Sequence, residues 1–202
     1  FGTIEVFIKD PLPADIDMTE IIRRLEMRIP NDLIRDVDTV YVGQFDDLNT
    51  RQVQAAYMDG AVYITNEQSD LEDMIDDLIH EFAHAAEKTH GYEIYGDGNI
   101  EREFLGKRKR LFNILKAEGY DIHLLDFISV EYSDEMDEFL FAEVGYEKLH
   151  SYSMGLFLSP YAATSLREYW ANAFEHYFMR DPQYVQQISP SVYEKLEQFT
   201  TY

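Results

Sequence analysis

Residues 71–84, with the sequence LEDMIDDLIHEFAH, decide the fold prediction for this 202-residue chain. Apolar side chains recur there at the three- and four-residue steps that place them on one helix face: Leu71, Met74, Ile75, Leu78, Ile79 and Phe82. Ser69 and Glu72 have the spacing of a capping box, so we expect the helix to begin near Ser69. Four aspartates fill the other face, and we interpret them as solvated: Asp70, Asp73, Asp76 and Asp77.

The end of this helix carries the pattern H-E-x-x-H as His80, Glu81 and His84. Residues four apart are neighbours on a helix surface, so both imidazoles can reach one metal ion. This pattern on a helix indicates a zinc site, with the glutamate as the general base of a metalloprotease. Zinc would lower the pKa of a bound water toward ~7 and polarise a carbonyl, while Glu81 takes the proton.

Upstream of the helix, the patterns predict a small mixed sheet. Val53–Tyr57 and Ala61–Thr65 flank a turn at Met58-Asp59-Gly60 and read as a hairpin. Further strands are expected over 3–8 and 37–43, with a helix over 18–29 that Pro30 ends. The predicted fold class is therefore α+β. The strand before the helix is our candidate for pairing with an extended substrate: Val62, Tyr63, Ile64 and Thr65.

Charge and composition narrow the functional classes. The chain has 17 basic and 39 acidic residues, a formal net charge of −22. This balance argues against nucleic acid as a partner, because binding it usually needs a basic face, whereas a basic peptide would be attracted. The absence of cysteine excludes disulfides and thiolate zinc ligands. No apolar run is long enough to span a membrane, and no signal-peptide pattern is visible at the start.

Catalytic zinc sites generally use three protein ligands, so a third must be found. His90 has the spacing of the H-E-x-x-H-x-x-G-x-x-H metzincins, but Glu87 stands where their glycine ends the helix. Glu101 and Glu103 follow His84 at about the sequence spacing at which thermolysin-like enzymes place a glutamate ligand. We interpret both as surface residues of a helix over 99–116 whose Lys107 and Arg108 also face outward.

Glu168 is the third candidate, in the segment SLREYWANAFEHYF at 165–178. Ser165 and Glu168 again have capping-box spacing, so Glu168 could serve only to close its own helix. His176 lies two helical turns after Glu168, and we interpret it as a packed histidine rather than a ligand.

Several segments together resemble a known family. Tyr161 stands seven residues before Glu168, which opens an E-[YF]-[FW]-A-x-A-F helix. HEFAHA at 80–85, Gly91-Tyr92, LFNILKAEG at 111–119 and the tail with Pro190 continue the likeness. Over roughly 58–119 and 157–199, the chain resembles the catalytic domain of anthrax lethal factor and the clostridial Pro-Pro endopeptidases.

The resemblance implies a zincin-like fold, a small mixed sheet with an active-site helix and a mainly helical C-terminal lobe. It implies one zinc ion held by His80, His84 and Glu168, with Glu81 as base and Tyr161 as oxyanion stabiliser. It also implies a secreted protein that cleaves protein or peptide substrates near prolines, and the net charge adds the expectation that these substrates are basic.

Two features depart from the family pattern. The residue four after the glutamate ligand is usually a second glutamate, and here it is Asn172, which would support the site as a neutral amide. The second departure is the spacing of 84 residues between His84 and Glu168, which is about twice the spacing expected of the family. We interpret residues 120–156 as an inserted helical segment, which could be a lid or specificity element, an acidic docking surface for basic residues, or scaffold that only packs.

The sequence therefore predicts a single zinc endopeptidase domain over 1–202, with an N-terminal lobe over about 1–90 and a helical lobe over about 91–202. Three alternatives remain open. One is a catalytically weak zincin-fold module that binds or supports a larger assembly. Another is a metzincin-type peptidase with His90 as the third ligand. The third is a metallohydrolase that acts on something other than a peptide.

Overall fold

The computed structural model describes residues 2–200. The chain forms two compact units, 1–91 and 92–202. The first unit contains a sheet and helices, and the second is helical apart from its connections. The predicted α+β class is confirmed at this level, as a four-stranded mixed sheet combined with a larger helical content.

The first unit is built on four short strands: β1 (Glu5–Ile8), β2 (Thr39–Val42), β3 (Ala55–Met58) and β4 (Ala61–Ile64). Their order in the sheet is β1-β2-β4-β3. β1 pairs with β2 and β2 with β4 in parallel, whereas β3 and β4 are antiparallel. β4 is therefore an interior strand, and β3 lies at one end of the sheet.

The hairpin turn explains why β3 and β4 pair in this register. Met58 faces Ala61, so Asp59 and Gly60 form a two-residue loop. Their φ angles are 47° and 88°. Positive φ at both central positions is the type I′ geometry that matches strand twist, and the Asp-Gly pair favours it.

Three helices complete this unit: α1 (Met18–Glu26), α2 (Asp46–Arg51) and α3 (Leu71–Tyr95), whose last residues begin the second unit. A short 3-10 helix covers Asn31–Ile34. The core consists of inward-facing apolar side chains of the strands and helices, including Ile21, Leu25, Val42, Val62, Ile64, Ile75, Ile79 and Phe82. The apolar stripe predicted for α3 thus lies in the core.

The start of α3 differs from the predicted capping box. Asp70 caps the helix, because its Oδ1 accepts a hydrogen bond from the Asp73 N–H at 3.0 Å. Glu72 instead forms an ion pair with Arg24 of α1. An aspartate is as good a cap as a serine, so the neighbouring acidic residue takes the position that the sequence assigned to Ser69.

The second unit contains α4 (Asn99–Ala117), α5 (Asp134–Glu138), α6 (Tyr146–Ser153), α7 (Leu166–Met179), α8 (Pro182–Ile188) and α9 (Pro190–Thr200). A π-helix covers Phe139–Gly145, and 3-10 turns cover Leu124–Phe127 and Tyr161–Ala163. Aromatic side chains of α4 and α7 fill the core, where the rings of Phe104 and Tyr169 lie 5.5 Å apart. The segment 120–156 is helical over 134–153.

The outward placement predicted for Lys107 and Arg108 is wrong, because both are buried. Arg108 donates hydrogen bonds to the carbonyl oxygens of Asp126, Ser129 and Thr164, and its guanidinium lies 5.5 Å from the Phe127 ring centroid. Burial lowers the pKa of Arg108 to about 10. These carbonyl contacts compensate for its desolvation, a tertiary arrangement that helical periodicity does not reveal.

Among residues 2–200, none of the helices has the length and apolar character needed to cross a membrane.

Candidate metal centre

His80 and His84 lie on successive turns of α3. Their ring centroids are 4.9 Å apart, and the ring planes are nearly perpendicular at 84°. His84 is 8% exposed, and His80 is half-buried. The helix thus presents two imidazoles side by side, as the four-residue spacing predicts.

Glu81 lies between these histidines in sequence and contacts the sheet. Its Oε2 accepts a hydrogen bond of 2.6 Å from the backbone N–H of Tyr57 in β3. This N–H points away from β4, because a strand residue donates to one side only. The contact fixes the direction of the Glu81 carboxylate and brings it to the outer edge of β3.

Glu87 is a candidate site residue that the sequence reasoning missed. His84 Nδ1 lies 3.6 Å from Glu87 Oε2, and both side chains are about nine-tenths buried. At 3.6 Å this contact is longer than a hydrogen bond, and a carboxylate on that side of the ring favours metal binding by the other nitrogen, Nε2. The i, i+3 spacing of these two residues is the sequence signal for this contact.

Asp77, interpreted from the sequence as solvated, lies in a more enclosed position. It accepts a hydrogen bond of 3.1 Å from Gln68 Nε2, and burial raises the pKa of its carboxyl. The aspartates of α3 therefore do not form one uniform solvated face.

His90 occupies a different environment from the other two histidines of α3. Its Nε2 lies 3.1 Å from the carbonyl oxygen of Asp32, so this nitrogen donates. Its backbone departs from helical geometry, with φ −111° and ψ 18°, and kinks the helix. A buried structural contact thus accounts for this histidine.

Glu168 lies in the first turn of α7, and its position is set by the cap. Ser165 Oγ accepts a hydrogen bond of 3.2 Å from the Glu168 N–H, as the capping-box spacing predicts. Just upstream, the Tyr161 carbonyl accepts hydrogen bonds from the N–H and hydroxyl of Thr164 at 3.0 and 2.8 Å. Arg108 holds the Thr164 carbonyl in turn, at 3.3 Å. Tyr161 itself is 45% exposed.

His80, His84 and Glu168 form a group that could hold a metal ion among the described residues. Each offers one ligand atom, and the three atoms all lie within 4.8 Å of one another. Two imidazole nitrogens and one carboxylate oxygen are donors that catalytic zinc sites use. The donor set therefore fits zinc, although other divalent metals also accept these ligands. His90, Glu101 and Glu103 are not members of this group.

Asn172 lies four residues after Glu168 on α7 and is 8% exposed. Its Oδ1 is buried and accepts no hydrogen bond from residues 2–200. A buried amide oxygen without a donor is uncommon in folded proteins and marks a position where an additional N–H or O–H would be accommodated. Its predicted support of the metal site stays a prediction.

An apolar cavity borders Tyr161 within the second unit. Its volume is about 210 Å³, and its walls include Leu140, Phe141, Tyr146 and Leu149. Phe141 and Tyr146 are 69% and 59% exposed, which is unusual for neighbouring large aromatic side chains. This volume lies below the usual size of a drug-like ligand site and is suited to a single side chain.

The strand predicted to grip a substrate requires a correction. Val62, Tyr63 and Ile64 belong to β4, which is hydrogen-bonded to β2 on one side and to β3 on the other. Thr65 donates its N–H to the Gln54 carbonyl at 2.8 Å. The backbone of this segment is therefore already engaged, and the strand edge nearest Glu81 belongs to β3.

Comparisons of the chain with protein-family models, with curated proteins and with solved structures give no match.

Proposed function

We propose that this protein is a zinc-dependent endopeptidase whose ion is held by His80, His84 and Glu168. The observation that carries the proposal is the arrangement on α3, where two adjacent imidazoles accompany a carboxylate fixed by the Tyr57 N–H. The group formed with Glu168 supports it, because its donors are those of a His₂Glu zinc site.

When bound, zinc would lower the pKa of a water molecule toward ~7 and polarise the substrate carbonyl. Glu81 would accept the proton of this water and deliver it to the leaving amine, as a general base and then a general acid. Tyr161 would donate a hydrogen bond from its phenol to the developing oxyanion, or protonate the leaving group. Glu87 would keep His84 oriented through its Nδ1.

An extended substrate segment would pair with the outer edge of β3 rather than with β4. Ala55 and Tyr57 direct their peptide groups to this edge, because alternate residues of an antiparallel strand share a side. The Tyr57 N–H is held by Glu81 in this structure. A substrate carbonyl that took over this N–H would release the Glu81 carboxylate at the moment the peptide arrives.

The experiment is cleavage of a mixed peptide library by the zinc-loaded parent and by Glu81→Gln, read by mass spectrometry. Glutamine preserves the side-chain oxygen that the Tyr57 N–H contacts, so the variant should fold and bind zinc but should not cleave. Tyr161→Phe should cleave the same bonds roughly 100- to 1000-fold more slowly, the usual cost of losing one oxyanion donor.

Cleavage by the parent without cleavage by Glu81→Gln would support the proposed peptidase activity. Equal cleavage by both proteins would overturn the role of Glu81. If neither protein cleaves any peptide although both contain zinc, the result would favour a zincin-fold binding module that lacks useful activity.

A further inference from the structure

The segment 120–147 of the second unit differs sharply in charge from the rest of the chain. It contains nine Asp or Glu residues and no Lys or Arg. Like charges concentrated over this length repel one another, so this surface would attract a cationic partner. Acidity alone does not define a site, but the same segment also encloses a cavity.

This cavity has a volume of about 570 Å³, within the usual range of ligand-binding pockets. Carboxylates and apolar side chains both line it. Asp121, Asp126 and Glu135 supply the acidic groups. The apolar lining includes Met136, which is buried, Phe139, and Leu125, which is 74% exposed. Leu124 and Ile128 beside it are also exposed, and a group of neighbouring exposed apolar side chains, unlike a single one, indicates a surface that a partner could cover.

Buried contacts hold one wall of the cavity in place. Arg108 donates to the carbonyl oxygens of Asp126 and Ser129 at 2.8 and 3.1 Å. The ring of Phe127 packs against Phe112 at 5.5 Å. A pocket that is formed before a ligand arrives loses less conformational entropy on binding.

Two carboxylates of the cavity, those of Glu135 and Asp121, remain available to a cation. Ser133 Oγ donates to Glu135 Oε2 at 2.7 Å, and this hydrogen bond lowers the pKa of Glu135. Lys116 Nζ lies 3.9 Å from Asp121, but both side chains are at least half exposed. Such an exposed pair contributes little, so a bound cation could replace it at small cost.

We propose that this cavity is a docking site for a basic, apolar polypeptide segment of a partner protein. A Lys or Arg side chain of that segment meets the carboxylates of Asp121, Asp126 and Glu135, while a neighbouring apolar side chain packs against Leu125 and Phe139. Charge complementarity selects this occupant, because the cavity offers apolar walls and anionic groups together. The docking does not depend on peptidase activity.

The test uses the full chain carrying Glu81→Gln, so that no probe can be cleaved. Three short fluorescein-labelled peptides are titrated by fluorescence anisotropy: alternating Lys and Leu, alternating Lys and Ser, and alternating Glu and Leu. The Lys/Leu peptide should bind about tenfold or more tightly than the Lys/Ser peptide, because burial of one leucine side chain is worth about that factor. It should also bind more tightly than the Glu/Leu peptide, whose carboxylates are repelled by those of the cavity. Its affinity should also fall with added salt.

Matched variants locate the site. Asp121→Asn combined with Glu135→Gln should weaken the Lys/Leu peptide roughly threefold to tenfold, whereas Glu138→Gln combined with Glu143→Gln removes the same charge outside the cavity and should have less effect. Leu125→Ser should reduce the preference for Lys/Leu over Lys/Ser. Equal binding of the Lys/Leu and Lys/Ser peptides would overturn the proposal. So would equal weakening by the two charge-removing pairs, since each result would indicate a diffuse electrostatic surface.

Discussion

Helices α3 and α7 contribute to the proposed zinc site in different ways. α3 carries the two proposed histidine ligands and the proposed base within five residues, so the helical repeat sets their positions along the helix, and the Tyr57 N–H orients the Glu81 carboxylate. α7 offers a single carboxylate, whose position depends on the Ser165 cap and on the Tyr161–Ala163 turn before it. Arg108 of α4 anchors this turn through the Thr164 carbonyl. A local repeat thus explains one half of the site, and tertiary contacts explain the other.

The largest effect is expected on the α3 side. His84→Ala removes one of two adjacent imidazoles and should abolish both zinc binding and turnover, because only two protein ligands would remain. Zinc content after dialysis and peptide cleavage are the measurements. His123→Ala, which changes an exposed histidine of the other unit, is the matched control. Retention of full zinc by His84→Ala would exclude this histidine as a ligand.

A smaller effect is expected at Glu87. Glu87→Gln should lower zinc affinity roughly 10- to 100-fold, because the carboxylate beside His84 Nδ1 orients a ligand without contacting the metal itself. Competition with a chromophoric chelator would measure the affinity. Glu101→Gln controls for the loss of one negative charge at an exposed position. An unchanged affinity would mean that Glu87 only packs against His84.

The smallest effect concerns His176, the histidine of α7 that is not expected to bind metal. Burial lowers its pKa to about 4, and nearby Arg180 adds to the shift. Between about pH 6.5 and 4, His176 is protonated in the unfolded chain but neutral in the folded chain. The free energy of unfolding should therefore decrease as the pH is lowered through this window. Thermal unfolding of the parent and His176→Gln at pH 7 and 4.5 would measure it. The unfolding temperature of the parent, relative to that of His176→Gln, should be lower at pH 4.5 than at pH 7. The zinc contents of the two proteins at pH 7 should be equal.

The same contrast explains what the sequence could predict. The periodicity of Met74, Ile75 and Ile79 and the Asp59-Gly60 turn are local signals, and both elements form as expected. Strand order is a non-local property, so the sequence patterns do not show that β4 is an interior strand and that β3 lies at the edge of the sheet. Two adjacent strand patterns look alike in sequence, whichever of them lies inside the sheet.

Sequence patterns also do not indicate which individual charged residues are buried. Arg108 belongs to a helix with many basic residues, and only the carbonyl oxygens of distant loops make its burial possible. The Glu87 contact with His84 has only its i, i+3 spacing as a signal in the sequence, and that spacing does not show that both side chains are buried.

Glu168→Gln gives the most direct test that α3 and α7 serve one zinc ion. The backbone N–H that Ser165 caps is unchanged by this substitution, so the helix should begin as before. Zinc affinity of the parent and the variant would be measured by chelator competition, with thermal unfolding of both metal-free proteins as the check on the fold. We predict a large loss of zinc affinity with little change in the unfolding temperature of the metal-free protein. Unchanged zinc affinity with a lowered unfolding temperature would show that Glu168 only closes its own helix, and would contradict the proposed site.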